Sequence, residues 1–466
     1  MFTIASALPS TNEGSLSGSL FCITEGQLLV CTLNRTAKTV PRRIDLPGNA
    51  SKLAYSKHLK CLIVSYSVSE LDTSTDPVRR YTRSFIEFVD PDYQLPSIEA
   101  MHSEGGTGPW RPRTAAGEKI SCILEWMPEI GRDKYHCIVI GTARKHQSGR
   151  GRVIFLRVAR SLSDPTVIEC STKHVHQFDG PVYAIAPYGE FTLMVASGHD
   201  VVPLAHKLSD SRWDPRARYA LLSPAVSLTV HEPYVYISTA RESLVILDAS
   251  DRKLTLYAHD RAKREGLSHC RVQDNPSLTI ASSASGTVSV LTEIGVTGND
   301  RLMPQALADA HLPVSVRNLL SSASSSTSTT TTIIYGTALN GSIYRFQLIH
   351  EKEWRLLRFL YLICLRDPTI CPFTPGRKRR LNPAVDTALL ESSGEKPSRM
   401  HIDGDVLRRL MECGVPHLRE MLAVDEAMVK RLDELSVDLF GQGRSSDPVG
   451  DVVLLLMGLL ELGRAF

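Results

Sequence analysis

Ile333-Ile334-Tyr335-Gly336-Thr337-Ala338-Leu339-Asn340-Gly341-Ser342-Ile343-Tyr344-Arg345-Phe346 runs directly into Gln347-Leu348-Ile349-His350-Glu351-Lys352-Glu353-Trp354-Arg355-Leu356-Leu357-Arg358-Phe359-Leu360-Tyr361, and along these residues the hydrophobic period changes. The β-branched and aromatic run at 333–335, the Asn340-Gly341 turn and the return through Ile343, Tyr344 and Phe346 predict one hairpin. From Gln347 no Gly or Pro intervenes until Pro368, and Trp354, Leu357, Phe359, Leu360, Tyr361 and Ile363 predict a helix with a wide apolar surface. Residues before this stretch read as short strands and residues after it as helices. A boundary is therefore expected here, with a β domain over 1–350, a linker helix and basic loop over 351–400, and a helical domain over 401–466.

Working outward toward the N-terminus, roughly twenty strand candidates lie between Leu20 and Leu348, separated by turn residues. They include Leu28 to Leu33, Cys61 to Tyr66, Ser84 to Val89, Ile138 to Gly141, Val153 to Val158, Val182 to Ala186, Thr192 to Ala196, Tyr234 to Ser238, Leu244 to Leu247 and Thr287 to Leu291. A propeller blade consumes about 40–45 residues, so the span holds about seven blades. No alternation of strands with helices points to a parallel sheet. The expected fold is mainly β, a seven-bladed β-propeller followed by a small α-helical C-terminal domain. Two stretches break the pattern and are expected as surface loops: Pro91 to Ala116, and the Ser/Thr run from Ser321 to Thr332.

Toward the C-terminus, Arg377-Lys378-Arg379-Arg380 lies in a linker, a candidate nuclear localisation signal or phosphate-contacting patch with a solvated charge run as the plainer alternative. Ile402-Asp403-Gly404-Asp405 then opens an amphipathic segment through Val406, Leu407 and Leu410, with Asp403 placed to cap it. Further helices are expected at Pro416 to Ala423, Asp425 to Leu435 and Asp451 to Leu462.

The bulk numbers exclude some classes. A net charge of +3 over 466 residues gives no global pull toward nucleic acid, so such contact would depend on local patches. The ten cysteines form no Cys-x-x-Cys pair and fall mostly in apolar runs, which reads as reduced core thiols of an intracellular protein. The first residues lack the basic region of a secretory signal, and the longest uncharged apolar run, Val452 to Leu460, is short of the roughly 20 residues that span a bilayer, so a soluble chain without membrane contact is expected.

Motifs for chemistry are absent: there is no His-Glu-x-x-His, Gly-x-Ser-x-Gly, phosphate loop or dinucleotide fingerprint, and neither a cofactor nor a small-molecule substrate is expected. His174 and His176 fall on one strand face but lack a nearby third ligand, so a surface pair is the simpler reading. Asp248 and Asp251 sit in turn contexts. Binding features are clearer. Arg144, Lys145, Arg150 and Arg152 surround a hairpin turn, and Arg261, Lys263 and Arg264 form a second basic cluster; each is a candidate contact for nucleic acid or an acidic partner, against the alternative of a solvated turn. Aromatics are too few for a base-stacking platform.

The order of several strings resembles the carboxy-terminal region of the CPSF-A/damaged-DNA-binding large-subunit superfamily. They are Ile44 to Pro47 with Lys52 to Tyr55, Ser84 to Pro91, Ile140 to Ala143 with Gly149 to Phe155, Gly180 to Ile185, Ile334 to Thr337 with Gly341 to Ile343, and Ile402 to Leu407. Arg241 to Leu247, His259-Asp260 and Gly266 to His269 are nearer its Mms/Rik-type fungal members. The resemblance implies the third of three propellers plus a helical tail, in a nuclear non-enzymatic scaffold that binds protein partners within a multi-subunit complex, with DNA or RNA close by. Family members act in DNA repair as ubiquitin-ligase adaptors, in chromatin, or, as the alternative reading, in pre-mRNA cleavage-polyadenylation and splicing; a propeller enzyme is the alternative of another class. The two upstream propellers of the family are not in this chain, and its start close to the third predicts an open blade edge. The adaptor branch docks its cullin on one of those upstream propellers, so that contact does not carry over.

Overall fold

The Asn340-Gly341 turn closes as its sequence dictates: Gly341 takes a positive φ of 88°, and the Ala338 amide donates to Ser342 O at 2.9 Å. The computed structural model describes residues 4–7, 19–24, 27–32, 40–72, 79–90, 99–102, 107–112, 117–130, 133–144, 149–164, 166–207, 212–215, 218–251, 253–260, 262–272, 275, 277–293, 304–323, 332–371, 400–441 and 447–460. Two compact units emerge, one carrying the strands up to Phe346 apart from Ala308–Ala310, and one made of Ala308–Ala310 and the residues from Gln347 onward.

The β unit is a series of small, mostly antiparallel sheets. The first contains β1 (Ile4–Ala7), β2 (Ser19–Thr24), β3 (Gln27–Thr32) and β4 (Val40–Asp45), and the second β5 (Asn49–Ser56), β6 (Cys61–Asp72) and β7 (Arg79–Val89). The third draws on β8 (Glu99–His102) and β9 (Glu118–Trp126), then, past a hairpin of β10 (Glu129–Ile130) and β11 (Asp133–Lys134), on β12 (Cys137–Arg144), β13 (Gly151–Arg160) and β14 (Val167–Phe178), in the order β8-β14-β13-β12-β9. The fourth has β15 (Val182–Tyr188), β16 (Thr192–Ser197), β17 (Asp200–Lys207), β18 (Arg212–Pro215) and β19 (Tyr219–Ala220). Sheet five holds β20 (Ala225–His231), β21 (Tyr234–Thr239), β22 (Ser243–Asp248) and β23 (Thr255–His259). The sixth comprises β24 (Gly266–Arg271), β25 (Leu278–Ser283), β26 (Thr287–Thr292) and β27 (Gln305–His311), and the seventh β28 (Val316–Ala323), β29 (Thr332–Ala338) and β30 (Ile343–Gln347).

A repeated device ties these sheets together. In six of them the lead strand carries a bulge near its start, leaving Ser51, Ser121, Tyr183, Val226, Leu267 and Arg317 as the extra residues. A bulge adds local twist and re-aims the strand. The residue before each is apolar or Gly and buried: Ala50, Ile120, Val182, Ala225, Gly266 and Val316. Lead strands of successive sheets are neighbours, β1 beside β5, β5 beside β9, then β15, β20, β24 and β28, and β28 lies beside β1.

Apolar burial is distributed along the seams between successive sheets. Ile63, Phe88, Ile120 and Ile140 join the second sheet to the third, Val153, Phe155, Leu193 and Leu204 the third to the fourth, and Ala184, Met194, Val235 and Leu247 the fourth to the fifth. Each large side chain fully removed from water stabilises its seam by about 1.5–3 kcal/mol.

Two expectations need correction. Residues 91–116 are not simply a surface loop, because β8 pairs in parallel with β14 and Trp110 is buried against Ile86, exchanging two backbone hydrogen bonds with it at 2.7 and 2.9 Å. The aperiodic sequence hides this, since β8 is short and Trp110 is an isolated apolar residue. The Ser/Thr run also begins inside a strand: Ser321, Ser322 and Ala323 pair with Ile334, Ile333 and Thr332. A strand paired on the β29 ladder tolerates hydroxyl side chains that propensity reads as loop. Residues 324–331 of that run lie outside the described residues.

The helical unit has α1 (Glu351–Cys364), α2 (Gly404–Ala423), α3 (Glu426–Phe440) and α4 (Pro448–Leu459). The Glu353 carboxylate reaches back to the His350 amide at 2.9 Å and starts α1, which ends shortly before Pro368. Its buried stripe is Leu356, Leu357, Leu360, Ile363 and Cys364, and this packs with Val406, Leu407, Leu410, Leu418, Leu432 and Leu456 in one core shared by all four helices. A kink at Gly414, with φ 87°, divides α2 ahead of Pro416. No described helix is long and apolar enough to cross a membrane.

Candidate interaction surface

The two basic clusters lie at the same end of the β unit. Arg144 ends β12, Arg150 precedes β13, and Lys263 and Arg264 lie between β23 and β24, so each stands beside the start of a lead strand. Contacts across the seams align those starts: Ser121 Oγ donates to Val182 O, and the Leu319 amide donates to Ser268 Oγ at 3.2 Å.

Within each cluster the structure separates structural from exposed cations. Arg152 is turned inward, with Nη2 2.7 Å from Glu118 Oε2 and Nε 2.9 Å from Oε1, while Thr142 Oγ1 donates to the same carboxylate at 2.6 Å. Arg264 is bound to Asp260, which is buried and also accepts from the Ala262 amide at 3.0 Å. Both guanidiniums are thereby committed to holding turns rather than to a partner. Arg150 and Lys263 are exposed, and Arg144 is half-buried, its amide donating to Arg150 O at 3.0 Å. Lys145 and Arg261 lie outside the described residues, as do Arg377, Lys378, Arg379 and Arg380.

Sequence reasoning missed further members of this end. Lys119, Arg241 and Arg317 are exposed there, and so are two apolar side chains, Leu222 at 87% and Val226 at 39%. Val226 and Arg317 are bulge residues. Their signal was the repeated lead-strand start, in which a small or apolar residue precedes the extra one. Asp179 and Glu265 are exposed at the same end, so among the described residues the exposed cations outnumber the exposed acids without forming a uniform field.

The remaining candidates have structural roles. Asp403 caps α2, accepting from the Asp405 amide at 2.9 Å. Asp248 bends its turn by accepting from the Ser250 amide at 2.8 Å. His269, buried between Ser238 and Thr229 at 2.8 and 2.7 Å, is pushed down to about 3 by burial and by the nearby His231, which keeps it neutral. The described cysteines are free thiols, and burial pushes Cys61 and Cys170 up to about 12. No group of three His, Cys, Asp or Glu side chains among the described residues is arranged to hold a metal ion.

The chain is similar to the uncharacterized protein C3H8.05c of Schizosaccharomyces pombe, with 23% identity over 268 residues that make up 56% of this chain and 24% of that protein. The chain thus spans about a quarter of that relative's length. No protein-family profile matches it.

Proposed function

We propose that the chain is a non-enzymatic nuclear scaffold of the CPSF-A/damaged-DNA-binding type, a seven-bladed propeller with a helical tail that holds protein partners on one end of its blades. The neighbour relations of the lead strands, the bulge repeated at their starts and the distribution of core residues along successive seams support the propeller. The observation that carries the scaffold reading is the exposed end where Arg150, Arg241, Lys263 and Arg317 stand with Leu222 and Val226. Exposed apolar side chains accompanied by cations suit a protein partner, whose acidic groups the cations steer and whose apolar residues Leu222 and Val226 contact. The assembly is of the DNA-repair, ubiquitin-ligase or chromatin kind.

The excess of exposed cations favours a second reading, in which the same end touches RNA or DNA within a cleavage-polyadenylation or splicing assembly. The two readings separate in one pair of experiments. Tagged full chain is captured from nuclear extract and its partners identified by mass spectrometry, and the purified chain is titrated with labelled DNA and RNA at low and physiological salt. Repair or chromatin proteins, with weak nucleic-acid binding, support the first reading. Processing factors with binding that falls steeply as salt rises support the second. Capture of chaperones alone overturns both.

A further inference from the structure

His174 and His176 occupy alternate positions of β14 and so share a face of that strand. The structure brings a third imidazole to them from the next sheet, His206 of β17. Trp213 of β18 lies beside two of the three: its ring is 5.0 Å from His206 and 6.4 Å from His174, and it stacks on Phe155 at 4.3 Å. His176 is 6.4 Å from His174 and 4.9 Å from Phe178. The rings occupy the seam between the third and fourth sheets, whose core includes Phe155, Phe178, Leu193 and Leu204. His174 Nε2 is buried there and makes no hydrogen bond.

The seam offers the imidazoles little to stabilise a positive charge. The charged groups acting on His174 are His176, on its own strand, and His206, across the seam, and both oppose its protonation. From β13 and β9 the neighbouring rings are Phe155 and Trp126, which are apolar. Lys173 is exposed beside His174, and Asp214, the residue after Trp213 on β18, falls on the opposite face of that strand. Burial first, and then the two imidazoles, hold His174 below the ordinary histidine value; burial does the same for His176. The trio is not arranged to hold a metal ion.

We propose that this seam is a proton-operated latch between the third and fourth sheets, closed while His174 and His176 are neutral and loosened when acid charges them. The folded seam binds fewer protons than the unfolded chain. Its stability is therefore complete above the ordinary histidine pKa of about 6.5 and is lost as pH falls through that value toward the lower folded ones. The latch acts on β14 and on β17 with β18, away from the lead strands β9 and β15 of the two sheets.

Hydrogen exchange of the full chain at about pH 7.5 and about pH 5.5, corrected for intrinsic rates, tests the latch. Amides of β13, β14 and β17 are expected to lose protection by about tenfold or more relative to those of β28 and β29. His206→Phe, which keeps a ring and removes a charge, should shrink that loss and raise the NMR titration midpoint of His174; His206→Asn serves if the first variant does not fold. Equal loss of protection in all these strands overturns the proposal. So does a His174 midpoint at or above the ordinary value, or one that neither His206 variant shifts.

Discussion

Arg152 and Glu118 form a two-pronged ion pair at the base of the β12–β13 hairpin, with guanidinium and carboxylate 11% and 3% exposed. Removing either partner takes the counter-charge from a group that stays buried, and breaking a buried pair in this way typically costs about 3–5 kcal/mol. Arg152→Ala and Glu118→Ala should each lower the urea midpoint by that order. The joint change Glu118→Leu with Arg152→Met should recover most of the loss, because no orphaned charge remains. Single and double variants that unfold alike would assign the loss to packing instead.

Acid should unlock a different seam through Glu125. Burial pushes its carboxyl up, but hydrogen bonds from His136 at 2.8 Å, from Ser56 and from the Lys57 amide at 3.0 Å hold it below the usual carboxylate range. The stability this contributes is present above the unfolded value of about 4.3 and is lost as pH falls through the folded one. Wild type should therefore lose more of its urea midpoint between about pH 5 and about pH 3 than Glu125→Gln does.

Two glycines should respond to alanine with opposite signs. A Cβ on Gly180 would meet Gly198 Cα at 2.9 Å, a backbone contact that cannot swing aside, so Gly180→Ala should destabilise by about 1–3 kcal/mol. Gly458 in α4 has nothing within 4 Å of a Cβ, and Gly458→Ala should stabilise by up to about 1 kcal/mol through lower backbone entropy in the unfolded chain. Thermal unfolding of the two variants reads both signs.

Removing the α2 cap is a local test of the helical unit. Asp403→Ala deletes the acceptor for the Asp405 amide and should cost about 1 kcal/mol, read by circular dichroism at 222 nm during thermal unfolding. Asp403→Asn, which keeps an acceptor oxygen, should lose only a few tenths.

Strand positions were legible where period and turn residues agreed, as in Tyr234–Thr239 and Ser243–Asp248, because both faces of these strands are apolar and their turn is tight. The passage from the last hairpin into α1 was legible for the same reason, the change of period after Asn340-Gly341. What stayed hidden depends on distant partners. Trp110 reads as a loop residue until Ile86 is known to face it, and Arg152 reads as a surface cation until Glu118, 34 residues earlier, is placed beneath it. His174 and His176 read as a surface pair because His206 comes from another sheet. The exposed end was half legible: the basic hairpin stands out by composition, whereas Val226 and Arg317 belong to it only through a bulge.

The account rests on the exposed end of the β unit as the place where partners bind. Quantitative affinity capture from nuclear extract should compare wild type with Arg150→Glu/Arg241→Glu/Lys263→Glu, and with Lys57→Glu/Lys253→Glu, a reversal at the opposite ends of the strands. All five positions are exposed, so folding stability should stay within about 0.5 kcal/mol. The account predicts that proteins captured by wild type are lost by the first variant and kept by the second. Retention by both variants, or equal loss from both, would contradict it.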